Sequence, residues 1–363
     1  MKVAEYIEKL KPYEGGKPIE ELKRELGIEG EIIKLASNEN PLGPSKKATE
    51  AIKNIADKVN FYPDGDAYYL KDELAKKLGV SRDNLIFGNG SDELIELIYR
   101  TFATDPKDEI IYCYPTFIEY KIIGMAFNKK LIELPLKDFA YDIDAIIDAT
   151  SPNTRIVFLN TPNNPTGTAI KREDIERVIE SVSDDVLVVI DEAYYEYAKA
   201  EDDYDELLDL YKKGNVIILR TFSKAYGLAG LRIGYGIASE EIVNYLNRTR
   251  PPFNVNIVAQ YAAIAALDDD EHIENSVKNN QKGKEYLYSE FDKLGLKYVK
   301  TYANFILFDV GDDADKIYNE LLKKGVIVRS MSGYGYKTFL RVTIGTPHEN
   351  EIFITRLKEI LNV

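Results

Sequence analysis

The chain has 363 residues, with 47 Lys and Arg against 61 Asp and Glu, so its formal net charge is −14. A single cysteine and two histidines exclude an intrachain disulfide, a thiolate metal cluster and a multi-histidine metal site. The acidic balance argues against a protein that binds nucleic-acid backbones, and no apolar run approaches the roughly 18 residues of a membrane span.

The N-terminal segment predicts short helices and loops. It lacks the apolar core of a signal peptide, so we expect a cytoplasmic protein. Helices are predicted over 4–11 and 18–26, and residues 1–30 are assigned to an N-terminal arm. Turn-forming residues over 37–44 and 60–65 predict two loops.

From about residue 70, short apolar or β-branched runs alternate with helical stretches. Several runs are apolar at nearly every position, as expected for strands covered on both faces. This alternation predicts an α/β fold, with a large domain over 31–255 in which a mostly parallel, seven-stranded sheet lies between helices. The seven runs are 84–88, 109–113, 131–134, 155–160, 186–190, 216–220 and 233–238.

The pattern changes after residue 250. A long helical stretch over 257–294, broken near 268–270, precedes strands and helices in mixed order. We predict a smaller α+β C-terminal lobe over 256–363 and expect it to pack against the N-terminal arm. Its further predicted elements are strands at 305–310, 326–329 and 339–344 and helices at 312–324 and 349–361.

Chemically useful residues follow four of the predicted strands. Open α/β sheets bind ligands at the carboxyl ends of their strands. Ser91 opens a helix after one strand, where free N–H groups suit a phosphate, although taken alone this feature favours an ordinary helix cap. Asn164 lies in a turn-rich run, Asp191 follows a buried strand, and Lys224 lies among hydroxyls and glycines. Each alone also fits a turn, a cap or a surface position.

Together these residues match the needs of one organic cofactor, pyridoxal 5′-phosphate. A lysine forms a Schiff base with its aldehyde, and an acid keeps its ring nitrogen protonated so that the ring acts as an electron sink. Hydroxyls, N–H groups and an arginine neutralise its phosphate. An organic cofactor also accounts for the scarcity of histidine and cysteine.

Three motifs carry a family resemblance. They are Asn-Asn-Pro-Thr-Gly at 163–167, Asp-Glu-Ala-Tyr at 191–194, and Ser-Lys at 223–224 followed by Leu-Ala-Gly-Leu-Arg at 228–232. With them the whole chain resembles the fold-type I pyridoxal-phosphate aminotransferases of classes I and II. Segments 10–22, 34–44 and 61–65 resemble the branch of that family that acts on histidinol phosphate, in histidine biosynthesis.

The resemblance implies roles around the cofactor ring. Lys224 corresponds to the Schiff-base lysine, which also moves the proton during transamination. Asp191 corresponds to the partner of the ring nitrogen, and Tyr194 and Asn164 to the groups that bond the ring 3-oxygen. Phe117 falls where the family stacks an aromatic ring on the cofactor, although a core phenylalanine is the alternative.

It also implies a phosphate site and a dimer. Ser91 and Asp92, through backbone N–H groups, together with Ser223 and Arg232, correspond to the phosphate-binding residues. Tyr62 corresponds to a tyrosine that reaches the phosphate from the other subunit, which implies a homodimer with shared sites. If Tyr62 is only a loop aromatic, the dimer inference weakens.

Substrate anchoring is expected from the small lobe. Arg341 corresponds to the arginine that binds the anionic end of the amino donor or acceptor. Arg329 resembles a second arginine for the substrate phosphate, and Tyr13 a tyrosine near it. Asn38 is expected to line the same cleft. Two arginines could bind both histidinol phosphate and 2-oxoglutarate through bidentate bonds. Arg329 could instead be a strand-edge charge, and Tyr13 a turn aromatic.

The resemblance leaves other functions open. An aromatic-amino-acid aminotransferase or a threonine-phosphate decarboxylase would share the fold, and the latter would share phosphate recognition. A non-catalytic regulator on the same scaffold would carry an added DNA-binding domain. That reading is disfavoured because the chain is acidic and retains Lys224, Asp191 and Arg232.

Overall fold

A mixed sheet of seven strands forms the centre of the larger lobe. The structure is a computed structural model that describes residues 2–8, 10, 19–26 and 30–362. Its strands are β1 (Ile33–Lys34), β2 (Leu85–Gly88), β3 (Glu109–Tyr114), β4 (Lys130–Pro135), β5 (Thr154–Asn160), β6 (Leu187–Asp191), β7 (Val216–Thr221), β8 (Gly234–Ala238), β9 (Lys297–Tyr298), β10 (Phe305–Asp309), β11 (Val326–Ile327), β12 (Arg329–Ser330) and β13 (Phe339–Thr343).

Helices cover both faces of this sheet and one side of the smaller lobe. They are α1 (Glu5–Glu8), α2 (Ile19–Leu26), α3 (Lys46–Ile55), α4 (Tyr68–Leu78), α5 (Ser91–Phe102), α6 (Glu119–Ala126), α7 (Ile143–Asp148), α8 (Arg172–Ser181), α9 (Tyr195–Ala198), α10 (Glu240–Thr249), α11 (Ile257–Leu267), α12 (Asp270–Lys293), α13 (Ala314–Lys323) and α14 (Pro347–Leu361). Within the described residues, no helix combines the length and apolarity needed to cross a membrane.

The order of strands in the large sheet is β2-β8-β7-β6-β5-β3-β4. Strand β8 runs antiparallel to both of its neighbours, and the other pairs are parallel. The strands β5 to β8 are buried along nearly their whole length, because helices cover both faces. The predicted seven-stranded, mostly parallel sheet between helices is confirmed, and all seven predicted runs form strands of this sheet.

Glycines let two segments approach closely where β2 leads into α5. Gly90 has a φ of +83°, and a Cβ atom there would lie 2.5 Å from Nη2 of Arg232. A Cβ atom on Gly234 would lie 2.5 Å from the backbone nitrogen of Ser91. The backbone contact excludes a side chain at Gly234, and the left-handed φ disfavours one at Gly90. The turn before α5 is therefore held directly against the start of β8.

The smaller lobe contains a four-stranded antiparallel sheet in the order β12-β13-β10-β9. The rings of Phe291 and Phe308 stack in its core with centroids 4.6 Å apart. Helix α14 begins with a capping box, in which the Thr346 hydroxyl accepts from the Glu349 N–H and the Glu349 carboxylate accepts from the Thr346 N–H. The predicted small α+β lobe is confirmed.

One predicted strand of this lobe is divided between two sheets. Residues 326–329 were predicted as one strand, but β11 pairs in parallel with β1, whereas β12 pairs with β13. Val328 separates the two short strands and is buried. The apolar run indicated extended backbone correctly, but it carries no information about which partner strand each residue finds.

The predicted domain boundaries, 1–30, 31–255 and 256–363, stay predictions. Leu22 of α2 packs with Leu322 and Ile327 of the smaller lobe. Helix α11 shares its hydrophobic cluster with α3, α4 and the large sheet. We therefore propose that the large domain extends through α11 and that the smaller lobe begins at α12.

Candidate active site

A cleft of about 290 Å³ lies between the lobes, at the carboxyl edge of the large sheet. Segments far apart in the chain reach it from β5, β6 and β7, from the turn before α5, and from the smaller lobe. Twelve of the predicted site residues line this cleft: Asn38, Ser91, Asp92, Phe117, Asn164, Asp191, Tyr194, Ser223, Lys224, Arg232, Arg329 and Arg341.

Lys224 lies three residues beyond the end of β7. Its Nζ donates to the backbone oxygen of Ser37 at 3.3 Å. Burial and the nearby Arg341 guanidinium lower the pKa of Lys224 to about 8, although the carboxylates of Asp92 and Glu39 oppose the shift. The neutral, nucleophilic form of this amine is therefore much more populated near neutral pH than that of an exposed lysine.

Asp191 is the last residue of β6 and is buried. Its Oδ2 accepts from the Tyr120 hydroxyl at 2.6 Å, and its Oδ1 accepts from the Ala193 N–H at 3.2 Å. Burial raises the pKa of Asp191 to about 6, and these two hydrogen bonds oppose that rise. A positively charged group in the cleft would therefore stabilise the ionised form of the Asp191 carboxylate.

Tyr194 is fixed by the loop that follows β1. The Asn38 side chain donates to its hydroxyl at 2.9 Å, and the Asn38 N–H donates to the Thr343 hydroxyl at 2.9 Å. Asn38 is buried and has a φ of +58°, an uncommon conformation for a residue other than glycine. Burial raises the pKa of Tyr194 to about 12, so its hydroxyl stays protonated.

Hydroxyls, amides and one guanidinium collect where α5 begins. Arg232 pairs with Asp92 at 2.7 Å, and both side chains remain partly exposed. The Thr221 hydroxyl donates to the Ser223 hydroxyl at 2.9 Å. With the backbone N–H groups at the start of α5, beside Ser91, this end of the cleft is suited to an anion.

Two arginines lie side by side on the smaller lobe. Arg329 of β12 and Arg341 of β13 are directly opposed in the antiparallel register, so both point to the same face. Arg341 donates to the backbone oxygen of Ala36 at 2.7 Å and to the amide oxygen of Asn164. The pair forms a second cationic region, separate from Arg232.

Among the described residues, one predicted residue, Tyr62, is not among those that line the cleft. Tyr62 is 83% exposed, and its ring stacks on Phe253 with centroids 4.9 Å apart. Its predicted role depends on a second subunit and stays a prediction. Tyr13 lies outside the described residues.

Sequence reasoning missed several residues of the site, of which three bear on its chemistry. Tyr120 holds Asp191, and Glu119 and Tyr334 line the cleft. Glu119 and Tyr120 begin α6 directly after Phe117, the predicted ring-stacking residue. Their closeness to Phe117 in the sequence could have indicated that they belong to the site. Tyr334 lies in a loop whose placement depends on the fold of the smaller lobe.

A buried ion pair connects the strand ends that carry Asp191 and Lys224. Nε of Arg220, in β7, donates to Oε2 of Glu192 at 2.8 Å, and both side chains are almost fully buried. The Tyr204 hydroxyl donates to the other carboxylate oxygen at 2.8 Å. The pair therefore joins the ends of β6 and β7, and Glu192 directly follows Asp191 in the chain.

Comparison with known proteins decides the family. The family described as aminotransferase class I and II matches residues 30–357. The chain belongs to this family. Aminotransferases of this family depend on pyridoxal 5′-phosphate, and the enzyme class and cofactor predicted from the sequence are confirmed.

Individual relatives of this aminotransferase cover nearly its whole length. It is 52% identical to histidinol-phosphate aminotransferase from Moorella thermoacetica, over 99% of this chain and 93% of that protein. It is 48% identical to histidinol-phosphate aminotransferase 2 from Carboxydothermus hydrogenoformans, over 99% of both. The solved histidinol-phosphate aminotransferase from Sinorhizobium meliloti, in complex with pyridoxal-5′-phosphate, superposes with a TM-score of 0.91 at 26% identity, over 99% of this chain and 97% of that one.

The donor set of the aminotransferase fits the cofactor of its family. An anion-binding end near Arg232 and a buried carboxylate, Asp191, line the same cleft, and Lys224 lies in it as well. Arg232 suits the phosphate of the cofactor, Asp191 suits its ring nitrogen, and Lys224 suits its aldehyde.

Proposed function

We propose that this aminotransferase exchanges the amino group between L-histidinol phosphate and 2-oxoglutarate, giving imidazole-acetol phosphate and glutamate. In histidine biosynthesis the net flow runs toward histidinol phosphate. The observation that carries the proposal is the opposed pair Arg329 and Arg341 in the cleft of Lys224. The names of the relatives at 52% and 48% identity agree with it.

The proposal assigns the cofactor to named residues. Ser91, Asp92, Ser223 and Arg232 would hold its phosphate, and Phe117 would stack on its ring. When bound, the cofactor supplies an electron sink for the carbon that bears the amino group. The buried carboxylate of Asp191 would hold the ring nitrogen in its protonated form.

The remaining groups act on the substrate or orient the ring. Lys224, with a pKa of about 8, would remove the proton from the amino-bearing carbon, since a base that is partly neutral near pH 7 is effective there. Tyr194 and Asn164 would hydrogen-bond the ring oxygen. Asn38 holds the Tyr194 hydroxyl and would line the substrate position.

The arginine pair would bind an anion in both half-reactions. Histidinol phosphate has no carboxylate, so its phosphate must occupy the region that a carboxylate of 2-oxoglutarate fills. Two guanidinium groups offer parallel donors to either anion. Tyr13, from the N-terminal arm, is proposed to assist at the same phosphate.

We also propose a cytoplasmic homodimer in which Tyr62 reaches the phosphate site of the other subunit. The support is a set of exposed aromatic side chains at and near Tyr62 in the sequence. Phe61 is 66% exposed and Tyr69 is 70% exposed, which is unusual for rings on a protein surface. A second copy of the chain would cover them.

A half-reaction panel tests the proposed substrate. The enzyme is mixed in turn with histidinol phosphate, phenylalanine, tyrosine, threonine phosphate and glutamate, and loss of the visible absorption of the bound cofactor is followed. We expect histidinol phosphate and glutamate to bleach the band fastest. Faster bleaching by phenylalanine would favour an aromatic-amino-acid aminotransferase, and carbon dioxide release from threonine phosphate would favour a decarboxylase.

A further inference from the structure

One wall of the cleft carries an acid that the proposed function leaves unused. Phe117, Ile118 and Glu119 line the cleft consecutively, and Tyr334 joins them from the smaller lobe. Glu119 is the first residue of α6. Within the described part of the chain, its carboxylate has no hydrogen-bond or ion-pair partner.

An acid at this position adds negative charge close to Asp92, an acid of the same cleft. A carboxylate here repels anionic ligands, which the basic residues of the cleft attract. Partial burial, with a contribution from Asp92, raises the pKa of Glu119. The acid is thus kept at some energetic cost, which a ligand that donates a hydrogen bond would offset.

The neighbours of Glu119 indicate the kind of ligand group. Phe117 and Ile118 present apolar surface, and the Tyr334 ring stacks on Tyr114 with centroids 6.1 Å apart and planes 16° apart. A flat ring fits between such side chains. An imidazole is a flat ring that carries an N–H donor and is partly cationic near neutral pH, whereas a phenyl ring has no donor.

We propose that Glu119 is a specificity-determining residue that accepts a hydrogen bond from the imidazole N–H of the substrate, in a subsite bounded by Phe117, Ile118 and Tyr334. The inference rests on the proposed function and deepens it. The arginine pair would recognise the phosphate at one end of the substrate, and Glu119 would recognise the ring at the other.

The test compares two substrates that differ only in this ring. Phenylalaninol phosphate keeps the amine and phosphate of histidinol phosphate but replaces imidazole with phenyl. The ratio of kcat/KM for histidinol phosphate to that for phenylalaninol phosphate is measured with 2-oxoglutarate as acceptor. The holoenzymes are the parent, Glu119→Gln, Glu119→Leu and the control Glu173→Leu, which removes an exposed acid on α8.

We expect Glu119→Leu to lower this ratio by about tenfold or more, because a lost hydrogen bond to a charged group affects only the imidazole substrate. Glu119→Gln, which keeps a carbonyl acceptor, should lower the ratio less, and Glu173→Leu should leave it unchanged. Incomplete folding or cofactor loss cancels, since both substrates are measured on one preparation.

Two outcomes would overturn the inference in distinguishable ways. If the parent enzyme accepts histidinol phosphate but Glu119→Leu keeps the ratio within about threefold, the ring subsite is wrong and the proposed function stands. If the parent enzyme does not accept histidinol phosphate, the proposed function fails, and the inference that rests on it fails too.

Discussion

Burial shifts the pKa values of Lys224 and Asp191 toward each other. It lowers that of Lys224 to about 8 and raises that of Asp191 to about 6, because both shifts favour the neutral form. The two groups therefore titrate nearer to neutral pH than they would on the surface. Such shifts are common where side chains do chemistry.

The reactivity of Lys224 should follow its lowered pKa. Only the neutral amine attacks an aldehyde, so loading of the apoenzyme with pyridoxal phosphate should accelerate as the pH rises through about 8 and then level off. Visible absorbance, followed between pH 6 and 10.5, gives the rate. A rate that still climbs beyond pH 10, as for an exposed lysine, would contradict the lowered pKa. The Lys224→Ala variant lacks the amine that attacks the aldehyde, so it should not develop this visible absorbance.

The hydrogen bond from Tyr120 should make the stability of the apoenzyme depend on pH. Tyr120→Phe removes a bond to the ionised Asp191 and raises its pKa further. At pH 5 Asp191 is mostly protonated in both folded proteins, whereas above the parental pKa of about 6 the further rise costs the variant stability. The variant should therefore lose more at pH 7.5 than at pH 5, by up to about 1.4 kcal/mol for each pKa unit of the rise. Urea denaturation at the two pH values measures the difference.

The matched control for this substitution is Tyr99→Phe. Tyr99 is also buried, but its hydroxyl donates to the backbone oxygen of Tyr120 rather than to Asp191. Loss of the Tyr99 hydroxyl should lower the free energy of unfolding by the same amount at both pH values. Equal costs at both pH values for Tyr120→Phe would show that the bond does not favour the ionised carboxylate.

The positions of the site residues were predictable where residue type and strand end coincide. Lys224, Asp191 and Asn164 each follow a recognisable buried strand, and the sheet brings them to one cleft. Tyr120 could not be assigned to Asp191, because a buried tyrosine at the start of a helix has the same pattern whether it fills the core or donates a bond. The roles themselves stay predictions.

At the scale of elements, apolar runs predicted the seven strands of the large sheet, and six of these strands are buried along nearly their whole length. The exception is β4, an edge strand without a fully buried residue. Short pairings were not predictable. Strand β1 and strand β11 have two residues each, and their pairing depends on the arrangement of both lobes. Likewise, the alanine-rich face of α11 has no signal that distinguishes the large domain from the small lobe.

The ion pair between Glu192 and Arg220 should show strong coupling in stability. Arg220→Met leaves a buried carboxylate without its cation and should cost about 3–5 kcal/mol. The double variant Glu192→Gln with Arg220→Met should lose clearly less free energy of unfolding than the two single variants lose in sum. Urea denaturation of the four proteins gives the coupling energy.

A surface pair provides the comparison for this cycle. Arg177 and Asp174 lie 3.0 Å apart on the exposed side of α8. Their double-mutant cycle should yield a coupling energy of only about 0.5 kcal/mol. Additive costs at Glu192 and Arg220 would mean that this pair does not join β6 to β7 energetically.

The whole molecule carries a net charge of −14, yet basic side chains are as numerous as acidic ones in the lining of its cleft. Lys224, Arg232, Arg329 and Arg341 meet there from two lobes. Composition predicted an acidic exterior and the scarcity of metal ligands, but this cluster of four basic residues arises only when the fold brings them together. Overall charge therefore says little about the ligands that the enzyme binds.

Mixing subunits should reveal whether Tyr62 acts across a dimer. Lys224→Ala homodimers should be inactive and Tyr62→Ala homodimers impaired. If Tyr62 serves the other subunit, a mixed dimer has one intact site, so statistical exchange should restore about a quarter of the parental activity. Activity is assayed after exchange in mild denaturant.

The control for subunit exchange is Tyr69→Ala mixed with Lys224→Ala. Tyr69 is an exposed neighbouring tyrosine with no proposed role in the site. The activity of this mixture should fall only because inactive Lys224→Ala subunits dilute the active ones. If the Tyr62→Ala mixture likewise stays at the average of its two parents, Tyr62 does not act in the other subunit's site.

The bonds between Asn38 and Thr343, and between Arg341 and Ala36, join residues 305 positions apart. During synthesis the large sheet is complete at Ala238, whereas Arg341 emerges about 100 residues later. At about 5–20 residues per second, the nascent chain exists for roughly 5–20 s with Lys224 in place and the arginine of β13 still missing. Substrate recognition is therefore among the last properties that a newly made molecule acquires.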